Sequence, residues 1–169
     1  MISPSALDVA VKASHASGEL LRKNFGCANE VDEALHHDLK LALDKESQDL
    51  IFGILSESFP DHALYGEEGI GGNQDSDYQW IVDPIDGTAN FVKGIPAWCV
   101  ILACIHDDQT RVGVIYEPSY GELFWCAEGT GSHLNDEKIK AAQSIAAEIG
   151  PVDPDFDMKK FTDEAWGEA

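Results

Sequence analysis

The stretch that decides the fold covers residues 80–91 and reads Trp80-Ile81-Val82-Asp83-Pro84-Ile85-Asp86-Gly87-Thr88-Ala89-Asn90-Phe91. Its first residues are apolar and β-branched, which predicts a strand. Aspartate and proline are poor strand formers, so they predict that the strand ends at Asp83-Pro84. Two nearby aspartates, with the Ile85 carbonyl between them, offer hard oxygen ligands, which suit Mg2+ better than zinc or copper.

The Gly87-Thr88 step follows the second aspartate directly. Backbone N–H groups at such a step, where a turn or helix begins, form a favourable place for a phosphate. Metal ligands beside an anion site indicate phosphate ester chemistry. The alternative is an ordinary Asx turn after a strand, because Asp, Pro and Gly are common turn residues.

Acidic residues dominate the charge of the 169-residue chain, with 31 Asp and Glu against 11 Lys and Arg and a formal net charge of -20. The composition is otherwise that of a single globular domain, 44% hydrophobic and 25% charged. This charge argues against nucleic acid or an anionic membrane as a partner. A phosphorylated substrate would need cations between itself and the protein. The alternative explanation of the charge is solubility in a salty cytoplasm.

The four cysteines, Cys27, Cys99, Cys104 and Cys126, form no C-x-x-C pair. We predict that all are reduced, that at least three lie in the core, and that Cys99 and Cys104 point to opposite faces of one strand. The first residues lack the pattern of a signal peptide, and no apolar run is long enough to span a bilayer. A cytoplasmic location is therefore expected.

Two helices are predicted near the start of the chain. The first opens at Ser3-Pro4, carries an apolar stripe from Leu7 to Phe25 and ends at Gly26. Residues 27–37 are polar without a clear period and are predicted to be a loop. The second helix is predicted from about Asp44, in the N-cap position, to Ser58.

The rest of the pattern predicts a mostly antiparallel sheet. A short strand at 63–65 leads to two glutamates and a flexible loop at 71–75. A continuous apolar run at 98–105 predicts a strand buried on both faces. Strands at 111–116 and 122–127 and a glycine-rich turn at 128–132 follow. The predicted fold class is α+β, with two N-terminal helices packed on this sheet.

Residues 80–91 resemble, at every fixed position, the W-x-V-D-P-I-D-G-T-x-N-F signature of the inositol monophosphatase family. The resemblance extends from about Ser5 to Lys140, with departures from the family pattern in the loop around His133 and Asp136. It implies the fold of the N-terminal domain of that family and a Mg2+-dependent, lithium-sensitive phosphomonoesterase. It also implies a phosphorylated small-molecule substrate, and we expect a homodimer.

The resemblance also implies roles for individual residues. Glu67, in the family's G-E-E segment, would bind metal together with Asp83, Asp86 and the Ile85 carbonyl. Asp44 and Thr88 would activate water, although local sequence alone favours a plain helix cap for Asp44. The backbone N–H groups of Gly87 and Thr88 would bind the substrate phosphate.

The predicted domain covers residues 1–140, and residues 141–169 are predicted to be a short helix and an acidic tail. The W-D-x-A-A-G signature of the family's second domain does not occur in the sequence. Three functions therefore stay open. They are a phosphatase for inositol monophosphate or a related sugar phosphate, a non-catalytic metal- or partner-binding relative, and another superfamily phosphatase acting on a nucleotide 3′-phosphate, histidinol phosphate or fructose bisphosphate.

Overall fold

The computed structural model describes residues 5–26 and 33–139, with the backbone alone for residues 33–41. The chain divides into two compact units, Met1–Lys138 and Ile139–Ala169. The features below belong to the first unit. The helix and tail predicted for residues 141–169, Ser3-Pro4 and Cys27 lie outside the described residues.

The first helix, α1, spans Ala6–Asn24 and begins two residues later than the sequence predicted. Ser5 is its N-cap, because the Ser5 hydroxyl accepts a hydrogen bond from the Asp8 N–H at 3.1 Å. The predicted end is confirmed, since Gly26 follows the C-cap residue and has φ of 72°.

The second helix, α2, spans Glu33–Ser58, so the prediction of a loop over residues 27–37 is wrong for residues 33–37. That segment contains neither glycine nor proline, and its residues tolerate a helix although they lack an amphipathic period. The prediction that Asp44 caps this helix is also wrong. Asp44 lies well inside α2 and is only 1% exposed.

The described residues contain one sheet of eight strands in the order β2-β1-β3-β4-β5-β6-β7-β8. Only the β1–β3 pair is parallel, and the others are antiparallel. The predicted α+β class is therefore confirmed. The strands are β1 Ala63–Gly66, β2 Gly69–Gly72, β3 Tyr78–Asp86, β4 Cys99–His106, β5 Gln109–Glu117, β6 Glu122–Ala127, β7 Gly131–Leu134 and β8 Glu137–Lys138; a short helix, α3, covers Thr88–Val92.

The core lies between the two long helices and one face of the sheet. Leu21, Ile51 and Leu55 from the helices are fully buried, as are Trp80 and Leu102 from the sheet. Helix α1 comes very close to the sheet at Gly18, where a Cβ would lie 2.5 Å from the Tyr116 ring. The small residues of the helix therefore set the distance between the two layers.

The opposite face of the sheet, here called the outer face, is more exposed than the sequence predicted. Strand β4 alternates between buried and half-buried residues rather than being buried on both faces. On β3, β5 and β6, respectively, Ile81, Ile115 and Phe124 are 42%, 41% and 36% exposed. The three described cysteines are free, and only Cys104 is buried, so the prediction of at least three core cysteines is wrong. Cys99 and Cys104 do lie on opposite faces, as predicted.

Two loop predictions need correction as well. Gly71 and Gly72 belong to β2, so the glycine-rich loop predicted at 71–75 is shorter than expected. The glycine-rich turn predicted at 128–132 likewise gives way to strand β7 at Gly131. None of the helices in the described part of the chain combines the length and apolar character needed to cross a membrane.

Candidate functional site

The end of β3 carries the two predicted aspartates on an irregular stretch of strand. Contrary to the sequence prediction, β3 continues through Pro84 to Asp86. It does so because the pairing with β4 shifts between Asp83, opposite Ile101, and Asp86, opposite Cys99. A β-bulge accommodates a proline that a regular ladder would reject. The bulge fixes where the two carboxylates leave the sheet.

Side-chain hydrogen bonds hold this stretch in place. Asp83 Oδ1 accepts from the Ile85 N–H at 3.1 Å, which is the Asx turn that the sequence allowed. The Thr88 hydroxyl donates to the Ile85 carbonyl at 2.9 Å. Gly87 has φ of 82°, and a Cβ there would lie 2.8 Å from the Ala97 carbonyl oxygen. Glycine is therefore required at the point where β3 passes into α3.

Asp83 lies in a strongly negative environment. Its burial, followed by the charges of Glu67 and Asp86, raises the pKa of the Asp83 carboxyl from 3.8 to about 6. The hydrogen bond from the Ile85 N–H lowers this pKa, and the Asp44 carboxylate raises it further. Carboxylates from α2, the β1–β2 turn and β3 therefore all act electrostatically on Asp83.

Helix α2 reaches this region through two buried polar residues one turn apart, Asp44 and Gln48. Gln48 Oε1 accepts a hydrogen bond from the Glu68 N–H at 2.9 Å and so anchors the turn that carries Glu67. A Cβ on Gly66 would lie 2.0 Å from the same Gln48 oxygen. Sequence reasoning missed Gln48; its signal was a polar residue on the same helical face as Asp44, among apolar positions.

Asp86 is exposed and meets Cys99, the first residue of β4. Cys99 Sγ lies 3.6 Å from Asp86 Oδ2 and donates a hydrogen bond to it. Burial, followed by the charge of Asp86, raises the pKa of the Cys99 thiol to about 12, so the thiol carries its proton at neutral pH. A cavity of about 410 Å3 opens beside this pair, with Gly87, Asn90 and Phe124 also in its wall.

The oxygen donors fit a hard divalent cation in chemistry and in charge. A cation among Glu67, Asp83 and Asp86 would offset the repulsion that raises the pKa of Asp83. The ligand arrangement is not preformed, since no three His, Cys, Asp or Glu side chains of the described residues are grouped closely enough to hold a metal ion. Binding would therefore require side-chain rotation, which the exposed Glu67 can make.

Comparison with known proteins places these features in a family. A family model described as "Inositol monophosphatase family" matches residues 4–152. The chain belongs to the inositol monophosphatase family. This confirms the resemblance seen in the sequence.

Relatives in this family are similar over most of the chain. "Inositol monophosphatase 1" of Solanum lycopersicum is 41% identical over 140 residues, which are 80% of this chain and 51% of the relative. "Fructose-1,6-bisphosphatase/inositol-1-monophosphatase" of Aquifex aeolicus is 35% identical over 136 residues, 79% of this chain and 52% of the relative. The chain therefore spans about half the length of the curated relatives that it matches.

The fold agrees with solved structures of the family. The structure of an inositol monophosphatase from Anabaena (Nostoc) sp. PCC 7120 superposes with a TM-score of 0.68 and is 36% identical in sequence. The match covers 80% of this chain and 49% of the other. Helices α1 and α2 and their sheet are thus the family's architecture over this part of its length.

Proposed function

We propose that the site at the end of β3 belongs to a Mg2+-dependent phosphomonoesterase that hydrolyses inositol monophosphate or a related sugar phosphate. The observation that carries the proposal is the electrostatic convergence of Glu67, Asp86 and Asp44 on Asp83. Carboxylates concentrated in this way repel one another and destabilise a protein that holds no cation between them. Binding a cation is the chemistry that these oxygen donors suit. Membership of the inositol monophosphatase family supports the same reaction.

In this proposal, Glu67, Asp83, Asp86 and the Ile85 carbonyl hold Mg2+. Bound Mg2+ would polarise the phosphate and lower the pKa of a water molecule. Thr88 keeps the Ile85 carbonyl in position through its hydroxyl.

The remaining residues act on water and on the phosphate. The buried Asp44 carboxylate, together with the Thr88 hydroxyl, orients the attacking water and accepts its proton. The N–H groups of Gly87 and Thr88 precede the first hydrogen bonds of α3, so they are free of helical partners and donate to phosphate oxygens.

The test is release of inorganic phosphate from a panel of esters, with and without Mg2+ and with added Li+. The panel contains inositol 1-monophosphate, fructose 1,6-bisphosphate, histidinol phosphate and an adenosine 3′-phosphate. We expect Mg2+-dependent release that Li+ inhibits and that Asp83→Asn abolishes. Asp77→Asn, at an exposed aspartate ahead of β3, is the matched control and should retain the rate.

The pattern across the panel also separates the alternatives. Preference for another ester would assign the chain to a different phosphatase of the superfamily. Release that is unchanged by Asp83→Asn would refute the site.

A second candidate, a non-catalytic partner-binding module, is favoured by the exposed apolar residues of the outer face, Ile81, Ile115 and Phe124. Contiguous apolar exposure is uncommon in soluble monomers and marks interaction sites. A homodimer is one such arrangement, and light scattering at several protein concentrations measures it directly. Stable dimers with no phosphate release from any ester would favour this candidate over the phosphatase.

A further inference from the structure

Within the described residues, Cys99 is the one side chain seen to form a hydrogen bond with the Asp86 carboxylate. The bulge in β3 creates this pairing, because it moves Asp86 into register with Cys99 rather than with Trp98. A regular ladder would have placed Asp86 opposite Trp98, one residue before β4 begins. The contact is therefore a product of the irregularity that also fixes the position of Asp83.

From this geometry we propose that Cys99 is a positioning residue: its S–H group holds Asp86 Oδ2 and thereby turns the carboxylate towards the cation that the site binds. The inference rests on the proposed function, and it adds a residue outside the predicted ligand set. A neutral donor is suited to this task. Lysine or arginine in its place would compete with the cation for the carboxylate, whereas a thiol orients the group and leaves its charge available.

The position of Cys99 supports the assignment. It is half-buried at the start of β4, so the rest of the strand fixes its backbone, while Asp86 is exposed and needs a partner to restrict its rotamers. Cys126 provides an internal comparison. It is also half-buried, but it lies on β6 opposite Gly113 and Ser132, away from the ligand set.

The first experiment measures the hydrogen bond without any metal. Infrared difference spectra between the wild type and Cys99→Ala isolate the S–H stretching band of Cys99. The same difference is then taken in an Asp86→Ala background. We expect the band at lower frequency in the presence of Asp86, as a hydrogen-bonded thiol requires, and at higher frequency in its absence. Equal frequencies in both backgrounds would overturn the inference, whatever the activity of the protein.

The second experiment measures Mg2+ binding by calorimetry. We expect Cys99→Ala to weaken the affinity by about 3- to 10-fold, below the usual effect of groups that orient metal ligands because a thiol is a weak donor. Cys99→Ser restores a donor and should recover most of the affinity, and Cys126→Ala should match the wild type. Equal affinities in Cys99→Ala and Cys126→Ala would overturn the positioning role and leave the proposed function intact.

Binding of Mg2+ by the wild type and its loss in Asp83→Asn establish that the site is the one proposed. A wild type without Mg2+ binding would overturn the proposed function and the positioning role together. The infrared result would still report the Cys99–Asp86 hydrogen bond by itself. Failure of the proposed function can therefore be distinguished from failure of the positioning role alone.

Discussion

Asp83→Asn should make the metal-free protein more stable while removing its response to Mg2+. The variant keeps the shape of the side chain, and the amide oxygen can still accept from the Ile85 N–H, which bonds Asp83 Oδ1 at 3.1 Å. It removes the negative charge that burial, Glu67 and Asp86 disfavour. A residue that serves a site at the expense of stability is expected to show this behaviour.

The magnitude follows from the pKa of Asp83, which rises from 3.8 to about 6. A shift of this size corresponds to about 3 kcal/mol if no solvent screens the charges. Because Asp83 is half-buried, solvent screening reduces the figure, and we expect a gain of about 1–1.5 kcal/mol in the free energy of unfolding at neutral pH.

The sign of the pH dependence follows from linkage. Between the unfolded pKa and the folded pKa, the folded wild type binds more protons than the unfolded chain, so its stability falls as the pH rises through this window. The asparagine side chain of the variant does not titrate. The advantage of the variant should therefore widen as the pH rises through about 6 and then level off.

Urea unfolding in EDTA between about pH 5.5 and pH 8 measures this advantage and stays above the sequence pI of about 4.3. Asp77→Asn is the matched control, since it removes one carboxylate from an exposed bend. Equal unfolding free energies for the two variants throughout the range would refute the reasoning. With Mg2+ added, the order should reverse, because ligand that binds only the folded wild type stabilises it.

Three further results are expected. Gly66→Ala should destabilise the protein by roughly 2 kcal/mol or more, because its Cβ would lie 2.0 Å from Gln48 Oε1. Chemical denaturation measures this loss of stability. An unaltered unfolding midpoint would contradict the close packing of α2 on β1. Gln48→Leu should lower the free energy of unfolding by about 1–3 kcal/mol, because it leaves the Glu68 N–H without its acceptor. Hydrogen exchange should speed up at the Glu68 amide. Unchanged exchange would contradict the role of Gln48 in anchoring the β1–β2 turn. His62 accepts a hydrogen bond from Trp80 Nε1 at 3.1 Å and its pKa is lowered, by burial above all. Stability should consequently fall as the pH drops below about 6.5, where the unfolded state takes up a proton that folded His62 resists, and His62→Gln should weaken this acid dependence in thermal unfolding.

Much of the sheet could be predicted because its strands obey simple patterns. The strand at 122–127 has the predicted bounds, and the strand at 63–65 differs by one residue. In both cases turn residues flank a short run of strand-forming residues. Cys99 and Cys104 were correctly placed on opposite faces of β4, because successive side chains along a strand point to alternate faces of the sheet.

Other features depend on contacts that no local pattern carries. The bulge lets β3 continue through Pro84, although proline and aspartate favour the end of a strand. Asp44 looked like a helix cap, because the start of α2 at Glu33 has no amphipathic period to mark it. The exposure of Ile81 and Ile115 was also unpredictable from composition, since apolar runs do not reveal whether a second layer covers them.

The residues of the candidate site also fall into those that local sequence predicted and those that it did not. Asp83, Asp86, Gly87 and Thr88 were predicted because they lie within one recognisable string, and their roles stay predictions. Glu67 and Asp44 were predicted only through the family resemblance, and their electrostatic effect on Asp83 is a result of the fold. Gln48 and Cys99 were missed, because their contacts to Glu68 and Asp86 join residues far apart in sequence.

The most direct test of the central claim is a calorimetric titration of Mg2+ into the wild type, Asp83→Asn and Asp77→Asn at neutral pH. If Glu67, Asp83 and Asp86 share a cation, the wild type and Asp77→Asn will bind Mg2+ with the same affinity and Asp83→Asn will show no saturable heat. Equal binding by all three proteins, or binding by none, would contradict the claim.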